Sequence, residues 1–265
     1  MQFKLTLQCL DPNPVIPINY QYELSAWIYS VIERADEQYA AFLHQEGFVS
    51  DGLKNFKMFC FSQLNFLEFA IEGDRLHIKK PTVSMIIGFY VDRSAETFIR
   101  GLFSDIHLTL GDRRSRARMQ VREVQLIKTT LSPQGGKVRF RTKSPLMLGR
   151  KLADGKEEYL HPDEPDYPRL FFHNLMEKYK AAHKDKEMPS DWNTNDFHFK
   201  WVGKDPRSKL ITIKEGKDAE TRVRGYQFDF ELDAPVELME LGLLAGFGRL
   251  NGVGFGCATV VCFFF

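Results

Sequence analysis

The chain has 265 residues, of which 43% are hydrophobic and 13% are aromatic, so it can bury a substantial core and is not intrinsically disordered. Its 36 Lys and Arg are balanced by 35 Asp and Glu, which excludes a strongly polycationic or polyanionic protein. Four cysteines without a C-x-x-C pair, and no apolar run near the roughly 20 residues of a membrane span, predict a soluble cytoplasmic protein.

The first half of the chain is predicted to alternate strands and helices. Residues 2–9 alternate in hydrophobicity as a strand does, and the apolar residues of 20–32 fall on one side of a helical wheel. A second helix is expected from Asp36 to about Gly47, because glycine favours a helix end. The later segments are strands near 56–71 and 75–80, a helix near 94–104, and strands at 106–110 and 121–130.

The second half repeats this β-α-β-β-α-β order. Its segments are a strand at 137–143, a helix at 167–183, strands near 197–202, 209–214 and 222–232, a helix at 235–245, and a strand at 255–265. Two tandem ferredoxin-like (RRM-like) domains of the α+β class fit this pattern. Pro133, Gly135 and Gly136 are the expected linker, which gives domains at 1–132 and 133–265.

Positive charge is concentrated in one segment. Residues 113–151 hold twelve Lys and Arg and a single acid, Glu123. Arg139 and Arg141 alternate with apolar positions there, which predicts a strand with a cationic outer side. Such a side is suited to contacts with nucleic-acid phosphates, although a solvated charged face is the simpler alternative.

A glycine-rich segment follows the last predicted helix. The eleven residues from Gly246 to Gly256 include five glycines. Glycines allow close approach of the backbone to a ligand, and their N–H groups can form an anion-binding nest. The segment leaves a helix and enters a strand, so neither a dinucleotide-binding nor a Walker motif fits. This argues against a nucleotide-binding α/β enzyme. A flexible linker is the alternative, but Phe247 and Phe255 alternate regularly with the glycines.

These residues resemble a known family, the CRISPR-associated repeat-processing endoribonucleases (the Cas-six, or Cas6, family). The family motif is glycine, hydrophobic, glycine, five residues, glycine, hydrophobic, glycine. Residues 246–248 and 254–256 fill every position of it. The segment from Ile16 to Tyr22, followed by Ile28-Tyr29, also resembles the start of the family.

The resemblance implies metal-free cleavage of RNA by the neighbouring 2′-hydroxyl. The family's catalytic histidine, tyrosine and lysine correspond by motif to His44, Tyr29 and Lys57, with Lys54 as an alternative lysine. The helical wheel places Tyr29 away from the apolar face. His44 falls in the last turn of a predicted helix, where the dipole favours a protonated imidazole.

The predicted function is a metal-independent endoribonuclease that cleaves precursor CRISPR transcripts at their repeats, without a cofactor. The alternative is a noncatalytic RNA-binding subunit of a CRISPR effector complex. Repeat RNA is the implied partner, and other effector subunits or a second copy of the chain (a homodimer) are compatible with the resemblance. The histidines lack zinc-ligand spacing. The predicted RNA-binding residues are Arg114, Arg116, Arg118, Arg139, Arg141, Lys143, Gly246, Gly248, Arg249, Gly254 and Gly256.

Overall fold

A computed structural model describes most of the chain. The described residues are 1–35, 48–49, 55–91, 99, 101, 103–104, 106–129, 131–132, 136–184, 187–213, 218 and 220–263. The predicted helix at 36–47 and most of that at 94–104 lie outside them. No helix among the described residues is long and apolar enough to cross a membrane.

The described helices are α1 Gln21–Ala35, α2 Tyr167–Ala182 and α3 Val236–Ala245, with 3-10 turns at Thr194–Asp196 and Asn251–Val253. The strands are β1 Gln2–Cys9, β2 Val15–Pro17, β3 Phe48–Val49, β4 Asn55–Phe56, β5 Phe59–Phe61, β6 Asn65–Phe66, β7 Phe69–Glu72, β8 Arg75–Ile78, β9 Thr82–Phe89, β10 His107–Gly111, β11 Arg116–Ile127, β12 Val138–Thr142, β13 Gly149–Lys151, β14 Glu157–Tyr159, β15 His198–Ile213, β16 Thr221–Asp233 and β17 Ala258–Phe263.

The N-terminal sheet has the order β10-β11-β1-β9-β5, with β6 also paired to β9. Without the added β10 this is the 4-1-3-2 order of a ferredoxin-like fold. The segment predicted at 75–80 is a strand, but its expected place as the third strand of the unit is wrong, because β9 takes that place and pairs antiparallel with β1. The segment at 75–80 instead forms β8 of a small sheet with β2 and β7.

The C-terminal sheet has the order β15-β16-β12-β17, which is the same ferredoxin-like order read from the other edge. The strands expected at 197–202 and 209–214 are one long strand, β15, with a register irregularity between Val202 and Arg207. The prediction of two tandem ferredoxin-like units is therefore confirmed. The predicted linker lies largely outside the described residues, and the boundary at 132/133 stays a prediction.

The two units are joined by buried polar contacts. Gln2 at the start of β1 donates from Nε2 to the carbonyl oxygens of Leu243 at 2.9 Å and Ala258 at 2.8 Å. On the neighbouring strand β9, a Cβ added to Gly88 would lie 2.6 Å from the carbonyl oxygen of Leu244. α3 therefore packs closely against the N-terminal sheet and helps to hold the two units together.

Candidate active site

Lys57 lies in a segment that passes from one core to the other. Phe56 and Met58 pack in the core of the C-terminal unit, whereas Phe59 packs in that of the N-terminal unit. Met58 has a φ of +52°, a conformation that is uncommon for a residue with a side chain and often marks a functional site. Lys57 is half-buried between these neighbours, and burial lowers its pKa.

Tyr29 lies on α1 and is half-buried. Its ring packs edge-on against Phe59, with the ring centroids 5.4 Å apart. The helical wheel had placed this side chain away from the core, and that expectation is wrong because β5 supplies an aromatic surface that the wheel of a single helix does not show. The contact with Phe59 holds the phenol ring in place beside the segment that carries Lys57.

Gly252 of the glycine-rich loop meets both side chains. A Cβ added to this glycine would lie 3.2 Å from the Tyr29 hydroxyl oxygen and 3.2 Å from Cγ of Lys57. The Gly252 carbonyl accepts a 2.6 Å hydrogen bond from Ser25, one helical turn before Tyr29 on α1. The loop therefore lies directly against the helix and the segment that supply the two predicted catalytic side chains.

These groups line a cavity of about 540 Å³ between the two units. Its walls combine apolar side chains with a few polar ones, as is usual for a ligand site. Leu250 of the loop also lines it and has a φ of +60°. Among the described residues Met58 and Leu250 are the two non-glycine residues at positive φ. Both therefore lie at this cavity or beside it.

Lys178 fixes the shape of the glycine-rich loop. Its fully buried ammonium donates to the carbonyl oxygens of Gly246 at 2.5 Å and Gly248 at 2.7 Å, and to Oδ1 of Asn251 at 2.7 Å. An ammonium has three donors, so the three acceptors match its charged form. Desolvation by burial acts in the opposite direction and lowers the pKa of Lys178 to about 7.

The loop glycines are required by the loop's own packing. Gly248 has a φ of +67°, and a Cβ there would lie 2.5 Å from the carbonyl oxygen of Met147. The N–H groups of Gly254 and Gly256 donate to Asn251 and Pro145. A flexible linker does not fit these buried residues. Contact of Gly246, Gly248, Arg249, Gly254 and Gly256 with RNA stays a prediction.

The predicted catalytic set is only partly described. Tyr29 and Lys57 come together as expected from the family resemblance. His44 lies outside the described residues, as does the alternative lysine, Lys54. Their roles stay predictions. Among the described residues, no group of three or more His, Cys, Asp or Glu is placed to hold a metal ion.

Several of the predicted phosphate-binding arginines have acidic partners. Arg139 contacts Glu231 at 2.5 Å, and Arg141 contacts Asp229 at 2.7 Å, each across the β12–β16 pair. The outer side of β12 therefore has its charge balanced by the adjacent strand. Elsewhere Arg114 pairs with Asp74, Arg118 pairs with Asp11, and Arg116 donates to the Asp112 carbonyl. The backbone N–H of Lys143 donates to the carbonyl oxygen of Cys257.

The structure adds residues to the cavity that the sequence did not single out. His173 and Asn174 on α2 line it, and Lys178 lies one turn further along the same helix. A pattern in the sequence could have indicated them. Phe171, Asn174 and Lys178 follow the i, i+3, i+7 spacing of a buried helix face, so two polar residues interrupt an apolar stripe.

Family models match both halves of the chain. Residues 15–125 match "CRISPR-associated protein Cas6, N-terminal", and residues 127–260 match "CRISPR associated protein Cas6, C-terminal". The two matches together cover almost the whole chain.

Individual relatives agree with these matches. The chain is 27% identical to the "CRISPR-associated endoribonuclease Cas6 1" of Methanocaldococcus jannaschii, over 98% of this chain and 93% of the relative. It is 22% identical to a "putative CRISPR-associated endoribonuclease-like protein Cas6nc" of Pyrococcus horikoshii, over 98% and 100% of the two chains. A solved structure described as "CRISPR associated protein Cas6" superposes with a TM-score of 0.71 at 28% identity, covering 98% of this chain and 99% of that one.

Proposed function

Because this chain belongs to the Cas6 family, we propose that it is an endoribonuclease that binds CRISPR repeat RNA and cleaves precursor CRISPR transcripts into guide RNAs. The observation that carries the proposal is the meeting of Tyr29, Lys57 and Gly252 in the cleft between the two units. The relative from Methanocaldococcus jannaschii, which is similar over nearly the full length of both chains, is named as an endoribonuclease.

The proposed reaction needs no metal ion. The 2′-oxygen of one nucleotide forms a bond to the adjacent phosphorus while the bond from phosphorus to the 5′-oxygen breaks. One proton leaves the 2′-hydroxyl for a base, and another is donated to the departing 5′-oxygen. The products are a 2′,3′-cyclic phosphate and a 5′-hydroxyl. The crowded phosphorane between them is anionic and is stabilised by nearby positive charge.

The described residues suit parts of this chemistry. The ammonium of Lys57 can stabilise the phosphorane, and its lowered pKa also brings it closer to the range in which a lysine exchanges protons. The Tyr29 hydroxyl, which like Lys57 faces Gly252, can hold the attacking 2′-hydroxyl. His44 is the predicted proton donor to the 5′-oxygen, and its replacement by alanine is expected to lower the cleavage rate by ~10² or more.

The test uses a candidate repeat RNA and a copy with a single 2′-deoxy nucleotide at the scissile position. We expect cleavage of the all-RNA strand in EDTA, with a cyclic phosphate end, and normal binding without cleavage of the 2′-deoxy strand. Loss of cleavage in EDTA with RNA binding retained would refute the metal-free mechanism. A protein that binds the repeat and leaves it intact under all conditions would be a noncatalytic RNA-binding subunit instead.

A further inference from the structure

The C-terminal unit supplies a cationic wall to the candidate site. Lys151 at the end of β13 and His173 on α2 both line the cavity, and both side chains are exposed. Leu148 and Leu170 line the same wall and pack into the core of this unit, so the two polar side chains lie on a firm support. Among the described residues that line the cavity there is no Asp or Glu. This composition favours an anionic ligand.

The positive charge of this wall is only partly balanced by acids. Arg249 lines the cavity but is bonded to Glu157, whereas Lys151 forms no ion pair with another described residue. The imidazole of His173 carries one N–H when it is neutral and two when it is protonated. A lysine ammonium and a histidine N–H both donate hydrogen bonds to phosphate oxygens. Lys151 and His173 therefore have the chemistry of a phosphate-binding pair.

We propose that Lys151 and His173 together bind one backbone phosphate of the RNA, next to the phosphate that is cleaved. The inference rests on the proposed cleavage of RNA at this cavity. Lys57 is assigned to the reacting phosphate, and a cavity of about 540 Å³ has room for a nucleotide, so the strand can bring a neighbouring phosphate to the C-terminal wall. Phosphate contacts position a nucleic acid without reading its sequence. This subsite therefore fixes the register of the strand relative to Tyr29 and Lys57.

The test measures binding of non-cleavable repeat RNAs that carry a 2′-deoxy at the scissile nucleotide. In each RNA, one of the two phosphates that flank the scissile phosphate is replaced by an uncharged methylphosphonate. We expect the replacement at one of these positions to weaken binding to the wild-type protein by roughly 10-fold, the scale of a hydrogen bond between charged groups. In the double variant Lys151→Met, His173→Leu, the same replacement should leave the affinity almost unchanged. The control Lys180→Met, His198→Leu, at exposed positions outside the cavity, should keep the full loss.

Thermal unfolding separates phosphate binding from a structural role. Both side chains are exposed, so the double variant should unfold near the wild-type midpoint. The single variants Lys151→Met and His173→Leu give the same comparison if the double variant unfolds early, and each should remove part of the loss. A protein that cleaves the repeat but binds both methylphosphonate RNAs as tightly as the unmodified RNA would overturn the subsite and leave the nuclease function standing. So would a double variant that keeps the full loss. A protein that neither binds nor cleaves any repeat would overturn both.

Discussion

Replacing Lys178 by methionine tests whether this buried lysine holds the glycine-rich loop in its active shape. Methionine has a similar length and no donor. The variant keeps most of the packing of the stem but loses the hydrogen bonds to Gly246, Gly248 and Asn251. It also loses the ammonium that lies 5.9 Å from the centre of the Phe56 ring.

The expected loss of stability follows from two opposing contributions. Three hydrogen bonds to a charged donor together stabilise the fold by about 5 to 9 kcal/mol. Burial of the ammonium opposes this by several kcal/mol. The net destabilisation is then about 3 kcal/mol. For a chain of this size that corresponds to a decrease in the unfolding midpoint of roughly 6 to 12 °C.

Thermal unfolding and single-turnover cleavage are measured on Lys178→Met and on Lys180→Met. Lys180 is exposed on the same helix and is the matched control, for which we expect almost no change in the midpoint. Lys178→Met should lower both the midpoint and the cleavage rate, because Gly252 is no longer held against Tyr29. Equal midpoints for the two variants would refute the role of Lys178 in holding the loop.

Three further predictions concern the site and its charges. Gly252→Ala should lower the cleavage rate about 10-fold with little loss of stability, because the added Cβ displaces Tyr29 or Lys57 by a few tenths of an ångström. A wild-type rate would contradict the placement of these two side chains at the catalytic site. Lys57→Arg should move the alkaline fall in cleavage rate to higher pH. Burial lowers the pKa of Lys57, so lysine loses its charge at a lower pH than arginine does. An unchanged pH profile would show that the charge at this position is not needed for cleavage. Arg116→Gln should reduce the log–log salt dependence of RNA binding by about 0.7, and Arg141→Gln by less, because Asp229 balances Arg141; unchanged slopes would show that these side chains do not contact RNA.

Hydrophobic patterns predict most of the helices and strands of this fold. They do not predict which strands pair with each other. The segments at 75–80 and 82–89 both alternate apolar and polar residues. Periodicity identifies each as a strand but does not tell which pairs with β1. That choice depends on contacts distant in sequence, such as the approach of Leu244 to Gly88. Gly203 and Pro206 lie where the register of β15 with β16 shifts, and such residues usually separate two strands, so the sequence alone predicts two.

Residues of the candidate site could be predicted from the sequence only where they belong to a family motif. Tyr29 and Lys57 were found through their resemblance to family positions, and the structure brings them together. Asn174 and Lys178 were missed because a polar residue on a helix is usually solvated. Their burial depends on which face α2 presents to the glycine-rich loop, and this is set by tertiary packing.

The spacing of the glycine motif follows from a loop that closes on itself. The Phe247 N–H donates to the Gly256 carbonyl at 2.8 Å, and a Cβ on Gly256 would overlap the carbonyl oxygen of Phe247. The two phenylalanines are fully buried and anchor the ends of the loop in separate clusters. Asn251 spans the closed loop, since its Nδ2 donates to the carbonyl oxygens of both phenylalanines, at 3.0 Å to Phe247 and 3.1 Å to Phe255.

This closed loop acts as a rigid support for the candidate catalytic side chains. Lys178 holds it from the C-terminal unit, and Ser25 holds it from the N-terminal unit. Gly252, which accepts the Ser25 hydrogen bond and directly follows Asn251, faces Tyr29 and Lys57. Catalytic groups must be held to within fractions of an ångström, and a loop fastened from both units provides that precision. The five residues between the two glycine pairs therefore link the two domains at the point where the RNA is proposed to be cut.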